Sequence, residues 1–186
     1  ATDVAKKADV DSMVQQTLHR FGRVDILVNN AGAAIHKPIP DILEEDWDLN
    51  INVNLKSVFL CTQAVFSHMC RQGSGHIVNV SSLAGKYYPY KMAAYAAAKW
   101  GVDGLTGITQ VEGRRFGVKA TLVRPGPVDT RMRRENHDDD PEKLAQPEDV
   151  ADVILLAVTQ HKRAYTPILD LYPFEDPGGS EQVPEQ

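Results

Sequence analysis

A chain of 186 residues, 42% apolar and 24% charged, has the size and balance of one domain with a single core, and no shift in composition marks a second. A formal net charge of -5 excludes a basic nucleic-acid surface and favours a small-molecule ligand. No apolar run reaches the length of a membrane span and the first residues lack signal-peptide order, so the sequence reads as a cytoplasmic protein that engages neither membrane nor nucleic acid.

Ala1 to Val4 reads as the tail of a strand entering a loop. From Asp9 to Phe21, the apolar residues Val10, Met13, Val14, Leu18 and Phe21 recur at three- and four-residue steps, which predicts a helix ended by Gly22. Asp25 to Asn30 is a short apolar run closed by Ala31-Gly32, the pattern of a strand buried in a parallel sheet. After a loop holding Pro38 and Pro40, the segment Glu44 to Arg71 predicts one long helix, apolar on more than one face and stopped by Gly73-Ser74-Gly75. Cys61 and Cys70 face different directions in that helix, so no disulfide is expected.

His76 to Val80 predicts a second strand that runs into Ser81-Ser82, and Ala93 to Phe116 a second long helix capped by Gly117. Lys119 to Val123 reads as a third strand, broken by Arg124-Pro125-Gly126-Pro127. Pro147 opens a helix to about Gln160, and Thr166 to Leu171 is the fourth strand. Strict alternation of helices and buried strands predicts an α/β fold with a doubly wound parallel sheet, spanning residues 1–173 and followed by a polar tail over 174–186.

Tyr95 and Lys99 lie four apart on a helix and so share one face. A free tyrosine has a pKa of ~10, and a nearby ammonium that favours the phenolate would bring it towards neutrality. Ser82 ends a strand thirteen positions before Tyr95, where its hydroxyl can face the cleft at the sheet's C-terminal edge and hold a substrate oxygen. Asn54 is a poor helix former inside a predicted helix, and it follows Asn52, for which a backbone-bonding structural role suffices.

Asn29-Asn30-Ala31-Gly32 after a strand, then Asn54, Ser82 and Tyr95-Ala96-Ala97-Ala98-Lys99, in that order, resemble the short-chain dehydrogenase/reductase family. Asp3-Val4 and Arg124-Pro125-Gly126-Pro127-Val128-Asp129-Thr130 match further motifs, and the resemblance runs from about Thr2 to Pro173. It implies a Rossmann-type fold and hydride transfer between NAD or NADP and a ketone or secondary alcohol, with Tyr95 as general acid/base. By the same resemblance, Ser82 orients the reacting oxygen, Lys99 lowers the tyrosine pKa and binds the nicotinamide ribose, and Asn54 holds a proton-relay water. Asp3 and Val4 would contact adenine, and Asn30, Ala31 and Gly32 would border the adenosine ribose. Val128 and Thr130 would meet the carboxamide, while Pro125-Gly126 lets the backbone pass close to the nicotinamide. Tyr87, Tyr88, Tyr90 and Met132 fall where substrate-contacting residues lie, Tyr88 foremost. The family also implies a homodimer or homotetramer, built here on the segments Glu44 to Arg71 and Ala93 to Phe116.

The sequence departs from the family pattern in lacking the Thr-Gly-x-x-x-Gly-x-Gly turn that carries the pyrophosphate. On the order of sixty preceding residues are therefore expected to be missing, and the sheet to be incomplete at its N-terminal side. The residue that would distinguish NAD from NADP is absent with them. The 186 residues alone are then expected to bind a dinucleotide weakly, and a catalytically inactive fragment that serves as a binding or regulatory partner is the alternative reading. Gly101, Gly104 and Gly107 read as sites of close helix packing. His19, His36, His68, His76, His137 and His161 show no ligand spacing, and no metal is expected.

Overall fold

The computed structural model describes residues 1–175, so the end of the predicted tail, 176–186, lies outside the described residues. Four strands form one parallel sheet in the order β1-β2-β3-β4: β1 (Ile26–Asn29), β2 (Gly75–Val80), β3 (Val118–Pro125) and β4 (Ile168–Leu171). Each neighbouring pair is linked through helices, as parallel pairing requires. Helix α1 (Lys7–Phe21) precedes β1; α2 (Glu44–Ile51) and α3 (Ser57–Gln72) join β1 to β2; α4 (Ala93–Gly113) joins β2 to β3. The β3–β4 connection contains α5 (Arg131–Asn136) and α6 (Pro147–Thr159). The sheet flanked by helices is the Rossmann-like architecture that the alternating pattern implies.

Register explains how the layers pack. Ile77 and Leu122 face α1, α3 and α4, where Val14, Val65, Met69 and Val118 form one core cluster and Val58, Val102 and Leu122 another. Their alternates on the opposite sheet face include His76, Val78, Thr121 and Val123, all buried. Lys119, in register with His76, reaches the carbonyls of His161 and Ala164 just past α6, which places the end of α6 on this second face. Ile26 and Val28 of β1 share that face with His76 and Val78 but stay 46% and 40% exposed. The cover on that side therefore does not extend over β1, which with β4 forms the two edges of the sheet among the described residues.

Several boundaries differ from the sequence reading. Ala1 to Val4 form a turn ahead of α1 and not a strand, with Asp3 Oδ1 accepting from the Ala5 N–H at 3.0 Å. The segment Glu44 to Arg71 is not one regular helix: Asn52–Lys56 forms a π-turn between α2 and α3. An apolar pattern that continues through both helices hides this insertion, because one extra residue per turn leaves the burial of each half intact. β3 runs on through Arg124 to Pro125, since β4 pairs with it there and proline in a strand forgoes only its donor. α5 went unpredicted within a very polar stretch, although Thr130 caps it by accepting from the Arg133 N–H at 3.2 Å. Pro147 does open α6, and left-handed Gly22 and Gly73 close α1 and α3. Cys61 and Cys70 are free thiols. Of the three helix glycines, only Gly101 meets a close neighbour: a Cβ there would lie 2.6 Å from Leu55 Cδ2, whereas Gly104 and Gly107 face open space. Among the described residues no helix is long and apolar enough to cross a membrane.

Candidate active site

All four strands point the same way, so their C-terminal ends share one edge of the sheet, where Asn30 and Gly126 follow β1 and β3 directly and Ser82 lies two residues past β2. Ser82 is extended and caps the 3-10 turn Leu83–Gly85 by accepting from the Ala84 N–H at 3.1 Å. Its side chain also lies near enough to Tyr95, in the first turn of α4, to favour the phenolate. Ser81 fastens the strand end to α4 from the other side, donating to the Lys99 carbonyl at 3.1 Å.

Lys99 lies one helical turn beyond Tyr95 and is 4% exposed. Its ammonium donates to the Val80 carbonyl at 3.0 Å and stands 5.4 Å from the centroid of the Tyr95 ring. Burial pushes the Lys99 pKa down to about 8, opposed by the charge of Asp103 one turn further on. Asp103 is itself held by Arg124 at 2.6 and 2.9 Å, Arg124 reaches Asp170 at 3.3 Å, and Asp170 accepts from Lys86 at 2.7 Å. A chain of charges thus runs beneath the site, from the lysine to the end of β4. The expectation that Lys99 lowers the tyrosine pKa needs correcting for this arrangement. Burial raises the Tyr95 phenol above its ordinary value, and only the Ser82 hydrogen bond counters it. The ammonium lies over the ring, and burial brings its own pKa to about 8.

Asn54 is fully buried in the π-turn. Its side chain pairs reciprocally with the backbone of Ala33, donating to the carbonyl at 2.6 Å and accepting from the N–H at 3.3 Å, while its second N–H reaches the Asn50 carbonyl at 2.8 Å. Both amide hydrogens are therefore committed to protein partners. Gly32 fits beside this clamp because it lacks a Cβ, which would stand 3.1 Å from Asn54 Oδ1. The exposed loop Asn30-Ala31-Gly32 is so fixed by a helix rather than by its own sequence.

Other candidate residues divide into those gathered at this edge and those turned away. Met132, on α5, comes within 3.7 Å of where a Gly32 Cβ would be, which brings α5 to the site. Gly126 is pressed between Leu83, Pro173 and the Leu171 carbonyl, all within 3.3 Å of a hypothetical Cβ, so a side chain there would have to push its neighbours aside. Val128 bridges to Ala145, and the Thr130 hydroxyl is engaged in capping α5. Asp3 stays beside Lys6 at the surface and Val4 packs near Val10, Leu60 and Cys61. Tyr88 is 83% exposed and stacks on Trp100 at 5.8 Å, on a different face of α4 from Tyr95. Tyr87 bonds the Tyr172 hydroxyl at 3.0 Å, and Tyr90 lies under the Lys91 ammonium. One neighbour of Tyr95 escaped the sequence reading: the His36 ring stands edge-on to it at 6.0 Å, with His137 a further 5.1 Å beyond. No spacing in the chain could have joined these two histidines, which approach each other only through the fold.

Residues 1–141 match the family model described as short chain dehydrogenase. Among curated proteins, the chain is 42% identical to (2S)-[(R)-hydroxy(phenyl)methyl]succinyl-CoA dehydrogenase subunit BbsD of Thauera aromatica, over 82% of this chain and 65% of that protein. It is 35% identical to an uncharacterized oxidoreductase of Staphylococcus aureus, over 87% of this chain and 69% of that one. The chain thus spans about two thirds of the length of these relatives. Among solved structures, a metagenomic short-chain oxidoreductase in complex with NADP superposes with a TM-score of 0.79 at 32% identity, covering 95% of this chain and 73% of that one. An alcohol dehydrogenase from the archaeon Thermococcus sibiricus, complexed with 5-hydroxy-NADP, gives 0.85 at 27% identity over 100% and 75%. With the ordered motifs gathered at one sheet edge and the family model matched over most of its length, the chain belongs to the short-chain dehydrogenase/reductase family.

Proposed function

We propose that the polypeptide carrying these residues is an NAD(P)-dependent carbonyl reductase or alcohol dehydrogenase acting on a ketone or secondary alcohol. The observation that carries this reading is the meeting of Ser82, Tyr95 and the buried Lys99 ammonium at the C-terminal sheet edge. A dinucleotide suits the donors present: Lys99 uses the Val80 carbonyl as acceptor and keeps further N–H groups for ribose hydroxyls, and Asn30-Ala31-Gly32 offers exposed loop backbone at the next strand end. Nicotinamide, when bound, supplies or takes the hydride. In reduction, Tyr95 donates its hydroxyl proton to the substrate oxygen as charge builds there, and Ser82 holds that oxygen by a second hydrogen bond. A phenol whose pKa is raised by burial keeps its proton at neutral pH and is suited to this acid role. In oxidation the direction of proton transfer reverses, and Tyr95 must first release its own proton, which burial opposes and the Ser82 hydroxyl assists.

The NADP-bound structures support a nicotinamide partner, and the Thauera relative, named for a substrate with a hydroxy(phenyl)methyl group, supports a secondary alcohol. A homodimer or homotetramer fits the apolar residues left exposed on the outer helices: Trp47, Phe59, Trp100, Ile108 and Val111. Tyr95→Phe tests the mechanism. Ketone-dependent oxidation of NADH or NADPH should fall by about two to four powers of ten, with the cofactor Kd unchanged within about threefold, because the ring remains and the proton donor goes. Turnover within a few-fold of the parent would remove Tyr95 from the chemistry.

A further inference from the structure

Two lysine and aspartate pairs in this chain share the same helical spacing, and only one of them closes. In α1, Lys7 and Asp11 lie four apart and form an ion pair at 2.7 Å. In α4, Lys99 and Asp103 lie four apart as well, and both side chains are largely buried, where a charge is costly without a partner. Yet Lys99 donates to the Val80 carbonyl at 3.0 Å, and the Asp103 carboxylate turns instead to Arg124 on β3. Two guanidinium groups, Nε at 2.9 Å and Nη2 at 2.6 Å, converge on the same oxygen, Oδ2. The other oxygen, Oδ1, is shielded from solvent with no hydrogen-bond partner and stands 3.1 Å from where a Gly85 Cβ would be. We propose that Arg124 is a positioning residue for the reaction at Tyr95, which withdraws Asp103 from Lys99 so that the ammonium stays turned to the site.

The inference rests on the oxidoreductase reading and deepens it by giving a role to a residue that touches neither Ser82 nor Tyr95. A guanidinium keeps its charge at any working pH and holds its donors in a fixed plane, so it competes well for the carboxylate against an ammonium whose pKa burial has lowered to about 8. Arg124 is itself anchored from the far side. Its Nη1 donates to Asp170 Oδ1 on β4 at 3.3 Å, and Lys86, just past the 3-10 turn after β2, holds Asp170 Oδ2 at 2.7 Å. Arg124, Asp103 and Asp170 are all mostly buried, so solvent screens the network little. The titratable and charged groups around Lys99 are thus Tyr95 and Asp103 from α4, with Arg124, Asp170 and Lys86 behind Asp103. Of these, Asp103 acts on the ammonium, raising the pKa that burial lowers. Without Arg124, the cation one helical turn away is the partner left to the carboxylate. An ammonium drawn onto Asp103 is drawn from the Tyr95 ring and has fewer N–H groups for ribose hydroxyls.

The test follows the Lys99 Cε resonance by NMR as the pH is raised, the signal being assigned by its loss in Lys99→Met. In Arg124→Gln the released carboxylate should pair with the ammonium, and the Lys99 pKa should climb from about 8 towards its ordinary 10.5. Removing the carboxylate as well, in Arg124→Gln/Asp103→Asn, should bring the pKa back to about 8 or below, matching Asp103→Asn alone, because Arg124 acts through Asp103. A pKa that stays at about 8 in Arg124→Gln overturns the proposal, and so does one that Arg124→Gln shifts in the Asp103→Asn background. The second comparison decides by itself where Arg124→Gln alone does not fold. Turnover gives a rescue arm. Reduction of acetophenone with NADPH at about pH 6.5 should fall about tenfold in Arg124→Gln and return to within about threefold of Asp103→Asn in the double variant. A double variant as poor as Arg124→Gln would make Arg124 a packing residue and overturn the assignment. A wild-type protein that reduces acetophenone with neither NADH nor NADPH counts against the oxidoreductase reading on that substrate, and the NMR comparison still decides on Arg124.

Discussion

Lys99→Met should make the protein more stable at neutral pH and at the same time inactive. Lys99 is 4% exposed, and its pKa falls from 10.5 to about 8 on folding. The folded protein therefore releases this proton first, and between about pH 8 and 10.5 the unfolded chain binds more protons. Stability carried by Lys99 thus rises with pH through that window, and the penalty for holding the charge is fully present below about pH 8. At ~1.4 kcal/mol per pKa unit the penalty is on the order of 3 kcal/mol at pH 7 and about half of that at pH 9.5. Methionine matches the length of the side chain without the charge, but leaves the Val80 carbonyl without its donor, which offsets ~1–3 kcal/mol. The offset is independent of pH, so the change with pH is the cleaner quantity. Urea unfolding of both proteins at pH 7 and 9.5 should show the advantage of the variant shrinking by roughly 2 kcal/mol at the higher pH. Two stability curves that run parallel across that range would refute a desolvated lysine beneath Tyr95, whatever the activity of the variant.

Asp103→Asn removes the charge that holds the Lys99 pKa up, so the amine should lose its proton below about pH 8. Activity at pH 8 relative to pH 6.5 should then drop in the variant, and an unchanged pH profile would separate Asp103 from the lysine. The exposed Trp47, Phe59 and Trp100 together with the open flank of Gly104 and Gly107 predict a dimer or tetramer in solution, and light scattering that finds only monomer at micromolar concentration would exclude that interface. Gly32→Ala places a methyl 3.1 Å from Asn54 Oδ1 and should destabilise by about 1 kcal/mol, measured as a lowered unfolding midpoint with the same denaturant slope.

The sheet and its helices were legible because burial imposes periodicity: Ile77, Val78 and Val123 are wholly buried, and each lies in a run that only a parallel strand accounts for. Tyr95, Lys99 and Ser82 were legible because four-residue helix spacing and the end of a strand fix where side chains go. The π-turn at Asn52–Lys56 was not, since inserting one residue changes hydrogen-bond ladders and not hydrophobic pattern; the succession Asn50, Asn52 and Asn54 was its only local signal. α5 was obscured by its charges, although Thr130 followed by Arg131, Met132, Arg133, Arg134 and Glu135 joins a cap to good helix formers. The direction of the Tyr95 pKa was missed because it depends on how deeply the fold buries the phenol, and spacing along a helix does not specify that.

The Asn54 clamp divides the loop after β1 into two parts with different freedom to change. Through its paired bonds to Ala33, one amide side chain does for the loop what a neighbouring strand does for β1, so residues up to Ala33 are registered to the helix layer. The next anchor is Lys37, which bridges to Met92 and pairs with Asp46 at 2.6 Å, so residues 34–36 span a short stretch between two fixed points. Substitutions between Ala33 and Lys37 can therefore change the surface beside Tyr95 without moving Asn30, Ala31 or Gly32. A lineage that keeps the clamp can vary this short stretch in few mutational steps while the strand end and the helix layer keep their register.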